Sequence, residues 1–572
     1  MAEVLQEEVQ VQQQHGLHEQ LRESPPQAAL ICYYSLLLAC PVILLLLMRR
    51  RRCATSSAGV VTARAKDAGK KTFRRYPTGI YPLPSLARAR EEELLRRLPA
   101  PPRKLPVIGH LHLVGPLPHV SLRDLAADHS RDGLMLLRLG AVPTLVVSSP
   151  RAAQAVLRTH DQVFASRAYS PVADILFYGS TDVAFAPYGE HWRQVKKIST
   201  THLLTNKKVR AYRQAREREV KLVMAKIREA AISGTAVELS DLLSSFANDI
   251  VCHAVSGEYF REEGRNKLFR ELAEANSSLI GGFNLEDYFP VLVKLDMVKR
   301  MVCAKAQKVN KGWNELLDKL IDDHANAARS ESQHVDKESD FIDLLLSVQQ
   351  EYKLTRDHIK AQLVVMFQAG IDTSFIVLEY AMIKLMQNPN VMTKLQNELR
   401  MTIPKGKEIV TEDDLNGMSY LKAVIKETLR LHGPAPLLVP HLSMAECNIE
   451  GYTIPSGTRV IVNAWALARD PTYWESAERF MPERFLEGGS AMTMDYRGHD
   501  FLYLPFGAGR RICPGISFAI SAIEIMLANL VYHFNWELPP ELKKSGIDMT
   551  ESFGVTVHRT EKLLLVPVLP QN

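Results

Sequence analysis

Cysteine is sparse in this chain and never clustered. The 572 residues hold seven, Cys32, Cys40, Cys53, Cys252, Cys303, Cys447 and Cys513. No C-x-x-C pair and no His/Cys group occurs, so neither a zinc site nor a disulfide framework is indicated, and a reducing compartment fits. Unbalanced charge is equally scarce outside the first hundred residues. Residues 1–27 carry five acids against Arg22, and residues 49–97 carry fourteen Lys/Arg against four acids. The formal charge of +6 therefore leaves residues 98–572 with no net charge. A nucleic-acid partner calls for a basic face, and none is expected. No internal repeat is visible.

One run has no charge at all. Ala28–Met48, AALICYYSLLLACPVILLLLM, is 21 residues long, enough to cross a hydrocarbon core of ~30 Å. Arg49–Arg52 follows at once, and basic residues stay on the cytosolic side. The expected organisation is a short lumenal N-terminus over 1–27, a transmembrane anchor over 28–48, a basic juxtamembrane linker over 49–98 and a catalytic body over 99–572. A cleaved signal peptide is the alternative for the anchor. An acidic n-region, an over-long core and arginines at the place of a cleavage site oppose it. The linker mixes Ala, Ser, Gly and basic residues before a short charged helix, LARAREEELLRRL. It reads as disordered chain on anionic headgroups. The closely spaced prolines of LPAPPRKLPVIGHLHLVGPLP then stiffen the entry to the body.

Within the body, helical periodicity dominates. LMLLRLG and PTLVVSS predict a two-strand hairpin turning at Gly140. Amphipathic stretches predict helices over Lys208–Ala231, Leu239–Ser256, Leu292–Ala327 and Thr355–Gln387, the last stopped by Pro389. Short strands return in NIEGYTIPSGTRVIVNAWALARD around a turn at Ile454–Gly457, and GVTVHRTEKLLLVPVLP predicts a final hairpin. The fold class is mainly α, an α+β arrangement with a helix-rich domain and a small β region.

Four segments carry chemistry. In FLYLPFGAGRRICPGISFAISAIEIM, Cys513 lies between a Gly/Arg loop and a long apolar helix. Glycines allow close approach to a flat partner. The helix N-terminus and two adjacent arginines are expected to favour the thiolate, a soft ligand suited to iron. The segment AGIDTS puts Gly, Asp and Thr in mid-helix, where each lowers propensity. A threonine hydroxyl turned back onto the backbone there loosens the ladder and admits water. KETLR spaces Glu427 and Arg430 three apart on one helical face. YGEHWRQVKK places Trp192 four residues before Lys196.

Together these segments resemble the cytochrome P450 family. Phe506, Gly509, Arg511, Cys513 and Gly515 match every fixed position of its haem-ligand signature F-x-x-G-x-R-x-C-x-G. The resemblance covers about residue 99 to the C-terminus and implies the cytochrome P450 fold with haem b, Cys513 as axial thiolate and Arg511 on a haem propionate. It implies a structural triad of Glu427, Arg430 and Arg484, the last from FMPERF, which holds the cysteine loop. It makes Asp372 and Thr373 the proton relay, and Trp192, Lys196 and His441 further propionate contacts. Partners implied are O2, NADPH-cytochrome P450 reductase as electron source, and the endoplasmic reticulum membrane.

A finer resemblance concerns substrate. LRTHDQVFASR, ILFYGSTDVAFAPYGEHWRQVKKI, VCHAVSGEYFREEGRNKLF, SSLIGGFNLEDYFP and IDMTESFGVTVH are similar to the grass benzoxazinoid-pathway enzymes that oxidise indole and indolin-2-one. That implies a small, flat, apolar heterocycle. By the same analogy the pocket is lined by Phe177, Tyr178, Phe367, Gln368, Ala369, Leu437, Leu438, Val439, Phe553, Gly554 and Val555. Another apolar metabolite, a terpenoid or a phenolic, is an open alternative. So are a non-oxidative haem-thiolate isomerase or dehydratase and a non-catalytic membrane haem protein.

Overall fold

The computed structural model of the protein describes residues 85–257, 265–282, 284–291, 296–330 and 339–570. The expected anchor and most of the linker lie outside the described residues.

The strands are β1 (Leu134–Leu139), β2 (Val142–Val147), β3 (Val237–Glu238), β4 (His441–Leu442), β5 (Cys447–Ile449), β6 (Tyr452–Ile454), β7 (Arg459–Val462), β8 (Asn535–Glu537), β9 (Glu551–Phe553), β10 (Val557–Arg559) and β11 (Leu564–Val568). The longer helices include α1 (Ser85–Arg96), α2 (Glu190–Ile198), α3 (Arg213–Ser233), α4 (Leu239–Ser256), α5 (Arg265–Gly281), α6 (Asp296–Ser330), α7 (Arg356–Gln387), α8 (Ser419–Leu431) and α9 (Ile516–His533).

The largest sheet runs β1-β2-β7-β4. The β1–β2 hairpin forms as the alternation predicts, with Leu136 opposite Leu145. β7 then joins β2 in parallel, Val146 opposite Ile461. The expected turn at Ile454–Gly457 forms between β6 and β7, and the expected C-terminal hairpin fails. The Ile454–Gly457 turn connects strands of different sheets, because β6 pairs with β5 while β7 pairs with β2 and β4. The C-terminal hairpin does not form: β10 pairs with β9, and β11 crosses to β3 and β8. Partners from remote segments won β7 and β11.

α7 is the axis of the helical part. Its start is a reciprocal cap: Thr355 Oγ1 accepts from His358 N at 3.1 Å, and Thr355 N donates to His358 Nδ1 at 3.3 Å. Its 32 residues span about 48 Å at 1.5 Å per residue. α7 and α9 are both apolar and long enough to cross a membrane, yet 67% of each apolar window is buried in the body. A helix apolar on every face belongs in a core. The shared core draws on Leu363, Val364, Phe367, Ile371 and Leu378 of α7 with Ile523, Met526 and Leu530 of α9.

The packed body starts before residue 99. Leu95 and Leu98 are buried with Leu134, Leu136 and Val460, and Arg138 Nη2 lies 2.6 Å from Glu92 Oε2. The charged helix read as part of a disordered linker is α1, fastened to the β1–β2 region by its apolar edge.

Candidate active site

Cys513 sits where a loop turns into α9. Its backbone N–H donates to Phe506 O at 3.0 Å, and Gly515 N–H points at its Sγ at 3.3 Å. The loop is pressed against a preceding helical turn. A β-carbon on Gly509, whose φ is +66°, would lie 1.8 Å from Leu157 O, so only glycine fits. Lys196 on α2 donates to Ile512 O at 2.7 Å and holds the other side.

A cavity of about 270 Å³ opens above this loop. One wall is Phe506, Arg511, Ile512, Cys513 and Gly515; the facing wall is α7, with Met366, Ala369, Gly370, Thr373 and Ser374. Gly370 permits close helix packing, since a β-carbon there would meet Val251 Cγ2 of α4 at 2.7 Å. Thr373 Oγ1 donates back to Ala369 O at 2.6 Å. α7 stays a continuous helix through this bond, so the expected loosening of the ladder is not seen at Thr373.

Charge collects along the cavity's edge. Arg167, Lys196 and Arg511 all line it, with Trp192 and His441. Each of the three cations spends its hydrogen bonds on backbone carbonyls. Arg511 donates to Ala165 O and Ala186 O, both at 2.6 Å, and its guanidinium stacks 4.3 Å from the Trp192 ring. Arg167 donates to Val439 O at 2.5 Å and to Ala184 O at 3.1 Å. Burial pulls all three below their ordinary pKa values, Lys196 to about 8. Guanidinium groups keep their protons even so. The cavity therefore holds excess positive charge facing a thiol. That donor set fits a dianionic, metal-bearing macrocycle: carboxylates for the cations, a soft metal for the sulfur.

Two electrostatic expectations change. Burial pushes the Cys513 thiol up; the Gly515 N–H and Lys196 only partly oppose it. Arg510 does not help, because it turns outward to Asp161 Oδ1 at 2.9 Å. Deprotonation thus needs a bound metal, which removes a coordinating thiol's proton outright. His441 Nδ1 lies 2.7 Å from Phe164 O, so Nδ1 carries the proton and Nε2 is left an acceptor. Burial pulls its pKa well down. It becomes a donor to a carboxylate only on gaining a second proton, which an adjacent anion favours.

The Glu427–Arg430–Arg484 cluster is fully assembled and buried. Arg430 Nε and Nη2 donate to Glu427 at 2.7 and 2.8 Å, and Arg484 Nε lies 3.4 Å from Oε1. Met481 N donates to the same carboxylate at 2.9 Å. Arg430 also reaches Ala468 O and Ala477 O, so α8 is tied to the 468–484 segment.

The cavity brings together Trp192, Lys196, Ala369, Thr373, Leu438, Val439, His441, Phe506, Arg511, Cys513 and Gly515. Other expected residues lie outside its lining. Phe367 is fully buried, stacked 4.2 Å on Phe269, and Phe177 stacks 4.9 Å on Phe185; both are core. Tyr178 sits under the Lys360 ammonium. Leu437 and Phe553 pack in a separate cluster with Met135 and Leu137. Gly554 and Val555 form the β9–β10 turn, and Gln368 and Asp372 face α5. Gly509 supports the loop without lining the cavity. Arg167 was missed: no spacing distinguishes it in VFASRAYSPV, and only the fold carries it to this edge.

A helix-walled cavity over a half-buried cysteine, edged by Arg167, Lys196 and Arg511, fits a haem-thiolate enzyme, and residues 99–566 match the Cytochrome P450 family. The chain belongs to that family. It is 56% identical over 83% of its length, and 89% of the relative's, to the 3-hydroxyindolin-2-one monooxygenase of Zea mays. It is 56% identical to the indole-2-monooxygenase and 54% identical to the indolin-2-one monooxygenase of the same plant, covering 88% and 91% of those chains. Among solved structures it is similar to a zebra fish cytochrome P450 with abiraterone, TM-score 0.66 at 24% identity, covering 80% of this chain and 100% of that one. The protein is accordingly a P450 monooxygenase, using haem, O2 and electrons supplied by a reductase.

Proposed function

We propose that this enzyme inserts oxygen into a small, flat, apolar nitrogen heterocycle of the indole or indolin-2-one type. The observation that carries this reading is the 54–56% identity to three maize monooxygenases whose names specify such substrates. The apolar character of the cavity wall, with Val251, Ala254, Val365, Met366, Ala369 and Val377, supports it. The balanced reaction is RH + O2 + NADPH + H⁺ → ROH + H2O + NADP⁺.

The residues divide the work by position. Cys513 would supply the sulfur ligand to the haem iron. Arg167, Arg511 and Lys196 would hold the propionate edge, with His441 joining them once protonated, while Trp192, whose single N–H donates to Val183 O at 3.0 Å, would support that edge by stacking against Arg511. The haem so held would supply the oxygen-activating chemistry. Thr373 presents a hydroxyl at the α7 wall, and Asp372 one residue away supplies the carboxyl of a proton relay. Apolar side chains exclude bulk water from the reacting carbon. Glu427, Arg430 and Arg484 fix the segment beneath.

The placement that supports this chemistry in the cell is a single N-terminal span over 28–48 in the endoplasmic reticulum membrane, with 1–27 lumenal, 49–98 a basic linker whose last helix joins the body, and 99–572 cytosolic. The charge-free run and the arginines after it support this reading.

Microsomes carrying the full chain with NADPH-cytochrome P450 reductase are expected to convert indole or indolin-2-one into a product one oxygen heavier, in an NADPH-dependent manner. Oxygenation of a terpenoid or phenolic, with both heterocycles left untouched, overturns the substrate assignment.

A further inference from the structure

A polar cluster lies where α5 crosses α7, away from the cavity lining. Ser277 of α5 donates its hydroxyl proton to Asp372 Oδ2, and the Gln368 side-chain amide donates to the Ser277 oxygen. Gln368 and Asp372 are four residues apart on α7 and so share one face. The order of donors follows while Asp372 is ionised. The amide N–H can only donate and the hydroxyl has one proton, so that proton is aimed at the carboxylate. The other Gln368 atom, Oε1, is buried with no hydrogen-bond partner among the described residues. The helix crossing is held by the Phe269–Phe367 ring stack at 4.2 Å.

The position of Asp372 gives the cluster its meaning. Ala369, Gly370, Thr373 and Ser374 line the cavity, whereas Asp372 does not. The carboxylate that the proposed function makes a proton donor is turned to α5. We propose that Ser277 is a positioning residue for proton delivery, holding the Asp372 carboxylate against α5 so that the setting of that helix decides when the carboxylate serves the cavity. The inference rests on the relay reading of Asp372 and Thr373. Burial raises the Asp372 pKa to about 6, partly opposed by the Ser277 bond and reinforced by Glu274 on α5. Losing Ser277 therefore raises it further.

The consequence appears in how electrons are spent. A turnover with prompt proton delivery gives ROH and H2O. One without it releases peroxide, O2 + NADPH + H⁺ → H2O2 + NADP⁺. The full-length chain, reconstituted with NADPH-cytochrome P450 reductase, is assayed for peroxide per NADPH both without added substrate and with indolin-2-one. Ser277→Ala, which frees the carboxylate from α5, is expected to lower that ratio by roughly tenfold or more, the worth of one hydrogen bond to a charged group, with an unchanged reduced CO spectrum. The inflection near pH 6 in the proton-dependent rate, which quickens as pH falls because the acid form donates, moves to higher pH. Ser277→Thr restores both. Asp372→Asn raises peroxide and removes the inflection. If Ser277→Ala keeps the wild-type ratio and inflection while Asp372→Asn does not, Ser277 is idle and only this inference falls. If Asp372→Asn also behaves as wild type, the relay reading falls with it.

Discussion

Glu427→Gln is expected to destabilise the folded body by about 3–5 kcal/mol, the usual effect of removing one partner from a buried ion pair. Glu427 is 0% exposed and Arg430 1%. The substitution keeps the shape but leaves two buried guanidinium groups facing a neutral amide. Glu427 is also the acceptor for Met481 N at 2.9 Å, so the segment leading to Arg484 loosens as well. A chemical denaturation midpoint well below wild type, together with early loss of the haem spectrum on warming, is the expected result. Arg430→Lys is expected to fail similarly, because an ammonium cannot reproduce the fork that reaches both Glu427 oxygens and the Ala468 and Ala477 carbonyls. An unchanged midpoint in both variants contradicts a structural role for the cluster.

Thr373→Ala produces the second large effect, on chemistry and not on folding. Thr373 lines the cavity on the α7 wall, with its Oγ1 at 2.6 Å from Ala369 O. Losing one small hydroxyl leaves the helix intact, so haem content and the reduced CO spectrum stay as in wild type. Product per NADPH is expected to fall about a hundredfold, at the low end of what a lost proton-transfer group removes, while peroxide rises. Thr373→Ser, which retains the hydroxyl, recovers most of the coupling. Full coupling in Thr373→Ala removes this residue from the relay.

The sequence is most legible where a structural reason is local. Leu239–Ser256 is bounded as the amphipathic pattern predicts, and Thr355 opens the central helix because its cap partner is three residues away. The cysteine loop is readable for the same reason: Phe506 to Gly515 lie within ten residues, so spacing alone encodes the cradle. The remainder is non-local. β11 pairs with strands more than twenty and three hundred residues upstream, and no turn signal announces that. Arg167 reaches the cavity's edge through carbonyls at Val439 and Pro440. Ser277 meets Asp372 across a helix crossing. Aromatic residues mislead most. Phe177 and Phe367 have the composition of a pocket wall, yet ring stacking places both in the core. The thiol's acidity was misread because adjacent arginines in the chain are not adjacent in effect: Arg510 faces Asp161, and desolvation outweighs the cation that does act on the sulfur, Lys196.

One comparison tests the whole account most directly: the absorption spectrum of the reduced, CO-treated full-length protein beside that of Cys513→Ala. Wild type is expected to show the shifted Soret band that a thiolate opposite CO produces, and the variant is expected to lack it entirely. A band of that kind surviving in Cys513→Ala, or missing from folded, haem-loaded wild type, contradicts the assignment of Cys513 as the iron's ligand.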